Sequence, residues 1–268
     1  KWIQPSIGKV SQIEEVQKLV KEHRLHTICE EARCPNRGEC YAARTATFLI
    51  GGSVCTRSCA FCQVDKGQVP EQISQEESQK IANAVYELKL KYVVLTSVAR
   101  DDLPDHGASL FTQAMAAIRK INPHIKIEVL TPDFWGSRNQ LISKKEAQKE
   151  RLKAVLSANP VCFNHNLETV KRLQKEVRRG ATYNHSLSLL QTAREIAPQI
   201  PTKSGIMLGL GEKFYEVIQT LKDLRNVDCQ YVTIGQYLRP SLAHIPVSRY
   251  WNPNDFKRLA SIAKELGF

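Results

Sequence analysis

Residues 46–62 read Ala-Thr-Phe-Leu-Ile-Gly-Gly-Ser-Val-Cys-Thr-Arg-Ser-Cys-Ala-Phe-Cys. The first five residues form a short apolar run, which predicts a buried strand. The rest predicts a loop, and this loop carries Cys55, Cys59 and Cys62 with the spacing C-x3-C-x2-C. Folds built from parallel strands place their chemistry at the carboxyl ends of those strands. A cysteine-rich loop that directly follows a buried strand is therefore a candidate functional site.

Downstream of this stretch, apolar runs of strand length alternate with segments of helical periodicity. Strands are predicted at 92–98, 126–130, 161–163, 203–208 and 231–237, and helices at 74–90, 110–121, 144–156, 185–196 and 214–224, before a last helix with Asn252 as cap and Pro253 at its first position. Ser74 and Glu77 have the spacing of a capping box. Such units close into a barrel or lie open as a doubly wound sheet. Six units are too few for the standard eightfold barrel, so we predict an α/β fold, an incomplete (β/α)6 TIM-like barrel.

A second cysteine triplet precedes the first strand, with Cys29, Cys34 and Cys40 spaced as C-x4-C-x5-C. Such wide spacings need a looping chain, and Pro35 and Gly38 can supply turns. Residues 11–22 predict an amphipathic helix, with Ile13 on its apolar face. We expect residues 1–44 to form a cysteine-rich N-terminal extension and residues 45–268 to form the barrel.

The composition is that of an ordinary globular protein, with 268 residues of which 42% are hydrophobic and 24% charged. No apolar stretch approaches the roughly 18 residues that a membrane helix needs, and no signal peptide is recognised. We therefore expect no membrane association and a reducing compartment, namely the cytoplasm or, in a eukaryote, an organellar matrix or stroma. In such a compartment the clustered thiols among the eight cysteines indicate metal or redox chemistry. The net charge of +11 favours acidic partners or simple solubility.

Three thiolates on one short loop can hold three irons of a cubane cluster, which usually takes four cysteine ligands. The fourth iron then keeps a position for the amine and carboxylate of an amino acid. A zinc site is the alternative for both triplets. For the later one, no further Cys or His lies between Val64 and Asp105 to complete it. For the earlier one, His23 or His26 could be the fourth zinc ligand.

The C-x3-C-x2-C spacing, with Phe61 before the last cysteine, resembles the motif of the radical S-adenosylmethionine (SAM) superfamily. This resemblance implies a four-iron cluster held by Cys55, Cys59 and Cys62, whose open iron binds SAM. One electron then cleaves SAM to a 5'-deoxyadenosyl radical, which abstracts hydrogen from an unactivated carbon.

The second triplet, directly upstream, resembles the auxiliary cluster of the lipoyl synthase family, in which that cluster is the consumed sulfur donor. The resemblance extends through 96–103, 161–169, 178–183, 186–190, 203–212, 236–240, His244 and 246–247. It implies a second four-iron cluster on Cys29, Cys34 and Cys40. Family members end in an Arg-Ser-Ser-Tyr motif whose serine is the fourth ligand. The printed sequence ends at Phe268 before such a motif, so this ligand is not assigned.

The resemblance also implies residues that contact SAM. These are Phe61, Thr96, Ser97, Asn164, Glu168, Arg178, Met207, Tyr237 and Leu238. Thr96 and Ser97 would meet the amine and Arg178 the carboxylate, whereas Asn164 and Glu168 would bind ribose hydroxyls. Considered without the cysteines, the same residues suit turns, a helix cap or an exposed basic helix face.

The function implied is insertion of sulfur at carbons 6 and 8 of an octanoyl group in lipoyl cofactor biosynthesis. The expected partners are an octanoylated lipoyl carrier domain or H protein and a flavodoxin- or ferredoxin-type electron donor, with no nucleic acid. Another sulfur-inserting radical SAM enzyme is the nearest alternative. A zinc-stabilised nucleic-acid-binding module is the non-enzymatic one.

Overall fold

The computed structural model describes residues 10–23, 25–31, 34, 36–67, 73–74, 76–136 and 141–268. The chain forms two compact units, Lys1–Thr56 with Val64–Val161 and Arg57–Gln63 with Cys162–Phe268. Pro35 and the side chain of Ile13, for which the sequence predicts a turn and a helix face, lie outside the described part of the chain.

The first unit alternates helices with short strands. Its elements are α1 (Val10–Glu22), β1 (His26–Thr27), α2 (Ile28–Glu31), α3 (Arg37–Ala42), β2 (Thr45–Ile50), β3 (Val54–Cys55), β4 (Asp65–Lys66), α4 (Glu77–Glu87), β5 (Tyr92–Ser97), α5 (Ala108–Ile121), β6 (Lys126–Leu130) and α6 (Lys144–Ser157). Strands β2, β5 and β6 are parallel neighbours, and β1 pairs antiparallel with β2. Strands β3 and β4 form a separate parallel pair.

The centre of the first unit is built from strand residues that are completely buried, such as Phe48, Leu95 and Ile127. Helices α4 and α5 pack against each other. Phe111 of α5 meets Phe134 edge to face, with ring centroids 6.1 Å apart. Successive residues such as Phe48, Leu49 and Ile50 are buried, as expected for parallel strands covered on both faces.

The second unit contains three more parallel strands with their helices. Its elements are β7 (Cys162–Asn164), a 3-10 turn (Lys171–Leu173), α7 (Gln174–Val177), α8 (Tyr183–Ile196), β8 (Thr202–Leu208), α9 (Phe214–Asn226), β9 (Tyr231–Gln236) and α10 (Pro253–Glu265). Strand β8 lies between β7 and β9. Thr182 caps α8 by accepting a hydrogen bond from the His185 amide.

The prediction of six strands alternating with helices is confirmed. Each compact unit contains three parallel strands with helices between them. Asn252 caps α10 as predicted, accepting a 2.9 Å hydrogen bond from the Asn254 amide. The capping box at Ser74 and Glu77 is wrong. The Ser74 hydroxyl accepts from the Glu76 amide instead, and the Glu77 carboxylate binds distant backbone. Several elements are too short to give a periodic signal in the sequence, namely β1, β3, β4, α2, α3 and α7.

None of the helices in the described residues is long and apolar enough to cross a membrane.

Replacing the buried Leu95 with alanine removes core packing next to the site-bearing end of β5. We expect the free energy of unfolding to fall by roughly 2–5 kcal/mol in urea denaturation. The matched control is Leu141→Ala, whose side chain is 92% exposed. That change should stay within about 0.5 kcal/mol of the parent. Equal losses from the two variants would contradict the burial that the structure assigns to β5.

Candidate functional site

The turn that follows β2 brings the chain to the first cysteine of the C-x3-C-x2-C loop. Gly51 and Gly52 both have positive φ, 85° and 88°, which favours glycine. Their amides donate to the two carboxylate oxygens of Glu77, at 3.0 and 3.4 Å. The buried Arg100 guanidinium donates to the Gly51 carbonyl at 2.9 Å. Glu77 of α4 and Arg100 of the loop after β5 therefore both hold this turn.

Cys55 is held by that same loop, still within the first unit. The Ala99 amide donates to the Cys55 sulfur at 3.3 Å. The Thr56 amide donates to the Ala99 carbonyl at 3.0 Å, and the Thr56 hydroxyl donates to Asp101 at 2.8 Å. Arg100 forms a two-pronged ion pair with Asp102, with both contacts 2.8 Å long. A hydrogen bond to a cluster sulfur is one of the levers that set a reduction potential, so Ala99 is placed to tune a cluster on Cys55.

Cys59 and Cys62 belong to the second unit. The Ala60 amide donates to the Val177 carbonyl at 2.9 Å, which ties the loop to the end of α7. The Cys62 amide donates to the Cys59 carbonyl at 3.2 Å, which makes a tight turn between the two thiols. The Cys59 sulfur lies 3.7 Å from the Arg179 carbonyl. Both cysteines are partly exposed. Partial exposure is needed if a small molecule is to reach a group that these cysteines hold.

The same loop receives two hydrogen bonds from the segment after β9. The His244 Nε2 lies 3.0 Å from the Cys62 carbonyl, and the Ile245 amide donates to the Ala60 carbonyl at 3.1 Å. The hydroxyl of the buried Tyr237 donates to the Ile245 carbonyl at 2.9 Å. The Tyr237 hydroxyl, a predicted SAM contact, is thus occupied in shaping this segment.

The second triplet lies in the first unit. Cys29 sits in α2 and is buried, and Cys40 sits in α3. The Cys34 amide donates to the Cys29 carbonyl at 3.1 Å, and the Cys40 amide donates to Asn36 at 3.0 Å. Burial raises the pKa of Cys29, and Cys34 and Cys40 raise it further. Burial and Cys34 likewise raise the pKa of Cys40. These three thiols are close enough to oppose one another's ionisation, and a bound cation would reverse that effect.

The histidines that could complete a zinc site at the upstream triplet have other partners. Within the described ranges, no three His, Cys, Asp or Glu side chains converge on a point that could hold one metal ion. His23 and His26, the alternative zinc ligands, are bound instead to Glu87 at 3.4 Å and Glu31 at 2.8 Å. None of the eight cysteines forms a disulfide within the described part of the chain.

The predicted amine contacts lie at the carboxyl end of β5. Thr96 is buried, and its hydroxyl donates to the Leu130 carbonyl of β6 at 3.0 Å, which leaves oxygen lone pairs able to accept. The Ser97 hydroxyl is buried and has no hydrogen-bond partner in the part of the chain that the structure describes. A buried polar atom without a partner is costly, so Ser97 is the stronger ligand candidate.

In the second unit, Arg178 forms a buried polar cluster. Its guanidinium donates to Ser186 at 2.6 Å and lies 3.1 Å from the His165 Nε2. Burial raises the pKa of Glu168, and the nearby Arg178 charge partly offsets this. A carboxylate ligand that binds the Arg178 guanidinium would lie next to His165 and Ser186. The sequence had assigned no role to His165 or Ser186.

The backbone of Glu168 joins β8 rather than continuing β7. Glu168 has φ +67°, its amide donates to Gly205 at 2.9 Å, and its carbonyl accepts from Met207 at 2.8 Å. A Cβ at Gly205 would lie 2.6 Å from the Asn166 side-chain oxygen, so a larger residue there would displace Asn166. Asn164 is buried at the end of β7. The remaining predicted contacts are half-buried, namely Phe61, Met207 and Leu238.

Glu212 closes the loop after β8. Its buried carboxylate accepts from the amides of Gly209 and Leu210, at 2.6 and 2.9 Å, and from the Trp251 indole at 2.6 Å. Gly209 has φ +108°, and a Cβ there would lie 2.7 Å from the Arg249 carbonyl. Glu212 therefore acts by holding backbone. Trp251 is a positioning residue that the sequence did not reveal.

Several solved structures resemble this chain at low sequence identity. One is a coproporphyrinogen III oxidase from Escherichia coli, described as a radical SAM enzyme, with TM-score 0.57, 14% identity and coverage of 83% of this chain and 53% of that one. Another is methylornithine synthase, with TM-score 0.58, 14% identity and coverage of 98% and 75%. At this identity they show the fold alone, and the predicted partial-barrel class is confirmed.

Sequence comparisons are more specific. A family model for the radical SAM superfamily matches residues 49–224. "Lipoyl synthase 2" of Prochlorococcus marinus strain MIT 9313 is 70% identical over 100% of this chain and 87% of its own length. "Lipoyl synthase 2" of Nostoc sp. is 56% identical over 100% and 88%, and "Lipoyl synthase" of Thioalkalivibrio sulfidiphilus is 46% identical over 100% and 80%. The predicted recognition is confirmed, and the chain belongs to the lipoyl synthase family of the radical SAM superfamily.

Proposed function

We propose that this protein inserts sulfur at carbons 6 and 8 of an octanoyl group carried on a lipoyl carrier protein, using SAM and two four-iron clusters. The observation that carries the proposal is the presence of two cysteine triplets, each embedded in its own hydrogen-bonded frame, in a chain of this family. One triplet serves radical generation in every radical SAM enzyme, so the second needs a separate task, and sulfur donation is the task that a lipoyl product requires.

Each triplet has its own role. Cys55, Cys59 and Cys62 hold the SAM-binding cluster, and Cys29, Cys34 and Cys40 hold the auxiliary cluster within the extension of residues 1–44. When bound, the first cluster with SAM supplies the hydrogen-abstracting radical, and the second supplies sulfide. The protein's part is to orient these groups and to exclude water from them. The Ala99 amide on the Cys55 sulfur supports the first assignment. Cys34 lies close enough to raise the pKa of both Cys29 and Cys40, and this proximity supports the second.

The SAM contacts follow the ends of the strands. Ser97 and Thr96 accept from the methionine amine, and the unsatisfied Ser97 hydroxyl supports this assignment. Arg178 faces the carboxylate, and Asn164 and Glu168 bind the ribose. Phe61, Met207, Tyr237 and Leu238 line the apolar side, for which the half-buried Met207 and Leu238 are suited.

The partners are an octanoylated lipoyl carrier domain or H protein and a flavodoxin- or ferredoxin-type reductant. The net charge of +11 supports acidic partners of this kind. The proposed compartment is the cytoplasm, or the matrix or stroma of an organelle, because iron–sulfur clusters and cysteines that form no disulfide are typical of reducing conditions.

Iron counting tests the two-cluster assignment. Anaerobically reconstituted protein should hold about eight irons per chain, and alanine at all three positions of either triplet should leave about four. Cys162→Ala, which removes a buried thiol outside both triplets, is the control and should leave the count at eight. Bound zinc in a colourless protein, or an iron count unchanged by loss of Cys29, Cys34 and Cys40, would contradict the assignment.

Product analysis separates the roles of the two triplets. Alanine at Cys29, Cys34 and Cys40 should preserve reductive cleavage of SAM to 5'-deoxyadenosine but abolish lipoyl product. Alanine at Cys55, Cys59 and Cys62 should abolish both. The spectrum of the remaining cluster reports whether each variant is folded. Lipoyl product from the first variant in a single turnover without added sulfide would show that the sulfur has another source.

The salt dependence of carrier binding tests the charge argument. Association with an acidic octanoylated carrier domain should weaken as ionic strength rises, because the Debye length shrinks from about 10 Å at 0.1 M to about 3 Å at 1 M. Titration calorimetry or surface binding at several salt concentrations measures this. Affinity that stays flat across the series would reject an electrostatic contribution.

A further inference from the structure

The segment after β9 makes two hydrogen bonds to the backbone of the loop that carries Cys59 and Cys62. One is between His244 and the Cys62 carbonyl, at 3.0 Å, and the other is from the Ile245 amide to Ala60, at 3.1 Å. His244 and Cys62 are 182 positions apart in sequence, so this contact is made by the fold and not by local geometry.

The hydrogen-bond partners determine which ring nitrogen of His244 carries the proton. A carbonyl oxygen only accepts, so Nε2 must donate to Cys62. The other nitrogen, Nδ1, lies 2.9 Å from the Ser241 hydroxyl, which can donate to it. Both ring nitrogens are thereby used, and the ring is held with its donor towards the cysteine loop.

The turn that carries His244 is itself braced. Arg239 Nε donates to the His244 carbonyl at 2.8 Å, and a second Arg239 nitrogen donates to the Leu242 carbonyl. The Tyr237 hydroxyl donates to Ile245 at 2.9 Å. Tyr237 is buried at the end of β9 and anchors this hydrogen bond. The two donors, His244 and the Ile245 amide, therefore lie on a turn that three hydrogen bonds hold.

We propose that His244 is a positioning residue that locks the Cys59–Cys62 turn to the segment carrying Tyr237 and Leu238. This rests on the proposed function, in which the former turn ligates the cluster and the latter segment contacts SAM. A molecule that chelates the cluster and also touches Tyr237 and Leu238 needs both segments at a fixed spacing. The His244 donor supplies that spacing, so its loss weakens SAM binding before it affects iron content.

The test compares two replacements of similar size in the reconstituted holoenzyme. His244→Gln keeps a donor at about the position of Nε2, and His244→Phe fills the space without one. The SAM concentration that gives half of the SAM-induced change in the EPR spectrum should rise about fivefold in His244→Phe, the factor that corresponds to the roughly 1 kcal/mol of one hydrogen bond. It should stay near the parent value in His244→Gln and in the control His124→Ala, which alters an exposed histidine.

Hydrogen exchange measured by mass spectrometry on the same proteins gives a second readout that needs no SAM. Peptides covering residues 57–63 should exchange faster in His244→Phe and at the parent rate in His244→Gln. Parent-like exchange and SAM binding in His244→Phe would overturn the proposal, as would equal impairment of the two variants. Failure of the unaltered protein to bind SAM would instead count against the proposed function, and the exchange data would still decide whether His244 locks the turn.

Discussion

The structure depends on one constraint: a short loop must present three thiols whose positions are fixed by backbone hydrogen bonds and not by the cysteines themselves. In the first unit the Ala99 amide binds the Cys55 sulfur, and Thr56 is held through Asp101 and the Ala99 carbonyl. In the second unit the carbonyl of Ala60 accepts from the segment after β9. A loop held in this way would not need to reorganise to bind the proposed cluster.

This constraint explains where the charged residues lie. Arg100 and Glu77 are separated in sequence, yet both bind the Gly51–Gly52 turn that leads into Cys55. Buried ions are stable only when they are paired or bound to backbone groups, and Arg100 has both a carboxylate partner and a carbonyl. The same reasoning applies in the second unit to Glu212, which has three donors. These side chains stabilise loop shape at the ends of strands, where ligands bind.

The sequence predicted those features that follow from local periodicity and from spacing within one segment. It located all six parallel strands, and it located both cysteine triplets because their members are neighbours in the chain. It could not predict contacts between residues far apart in sequence. Glu77 has the spacing of a helix cap, yet its carboxylate accepts from the Gly51 amide, which lies 26 positions away in sequence and is brought to it by the fold. His244 carries no periodic signal at all, and only the fold brings it to Cys62.

The two triplets are held in different ways, and the difference fits their proposed tasks. The frame around Cys29, Cys34 and Cys40 is mostly local, formed by two helices shorter than two turns, with a contact from Cys29 to the Thr47 backbone. Burial and the neighbouring Cys34 and Cys40 thiols raise the pKa of the Cys29 thiol. A cluster that is consumed must leave behind a site that remains stable without it. A frame formed within one short segment would meet that requirement, whereas the Ala99 contacts tie Cys55 and Thr56 to the end of β5, which would suit a cluster that stays.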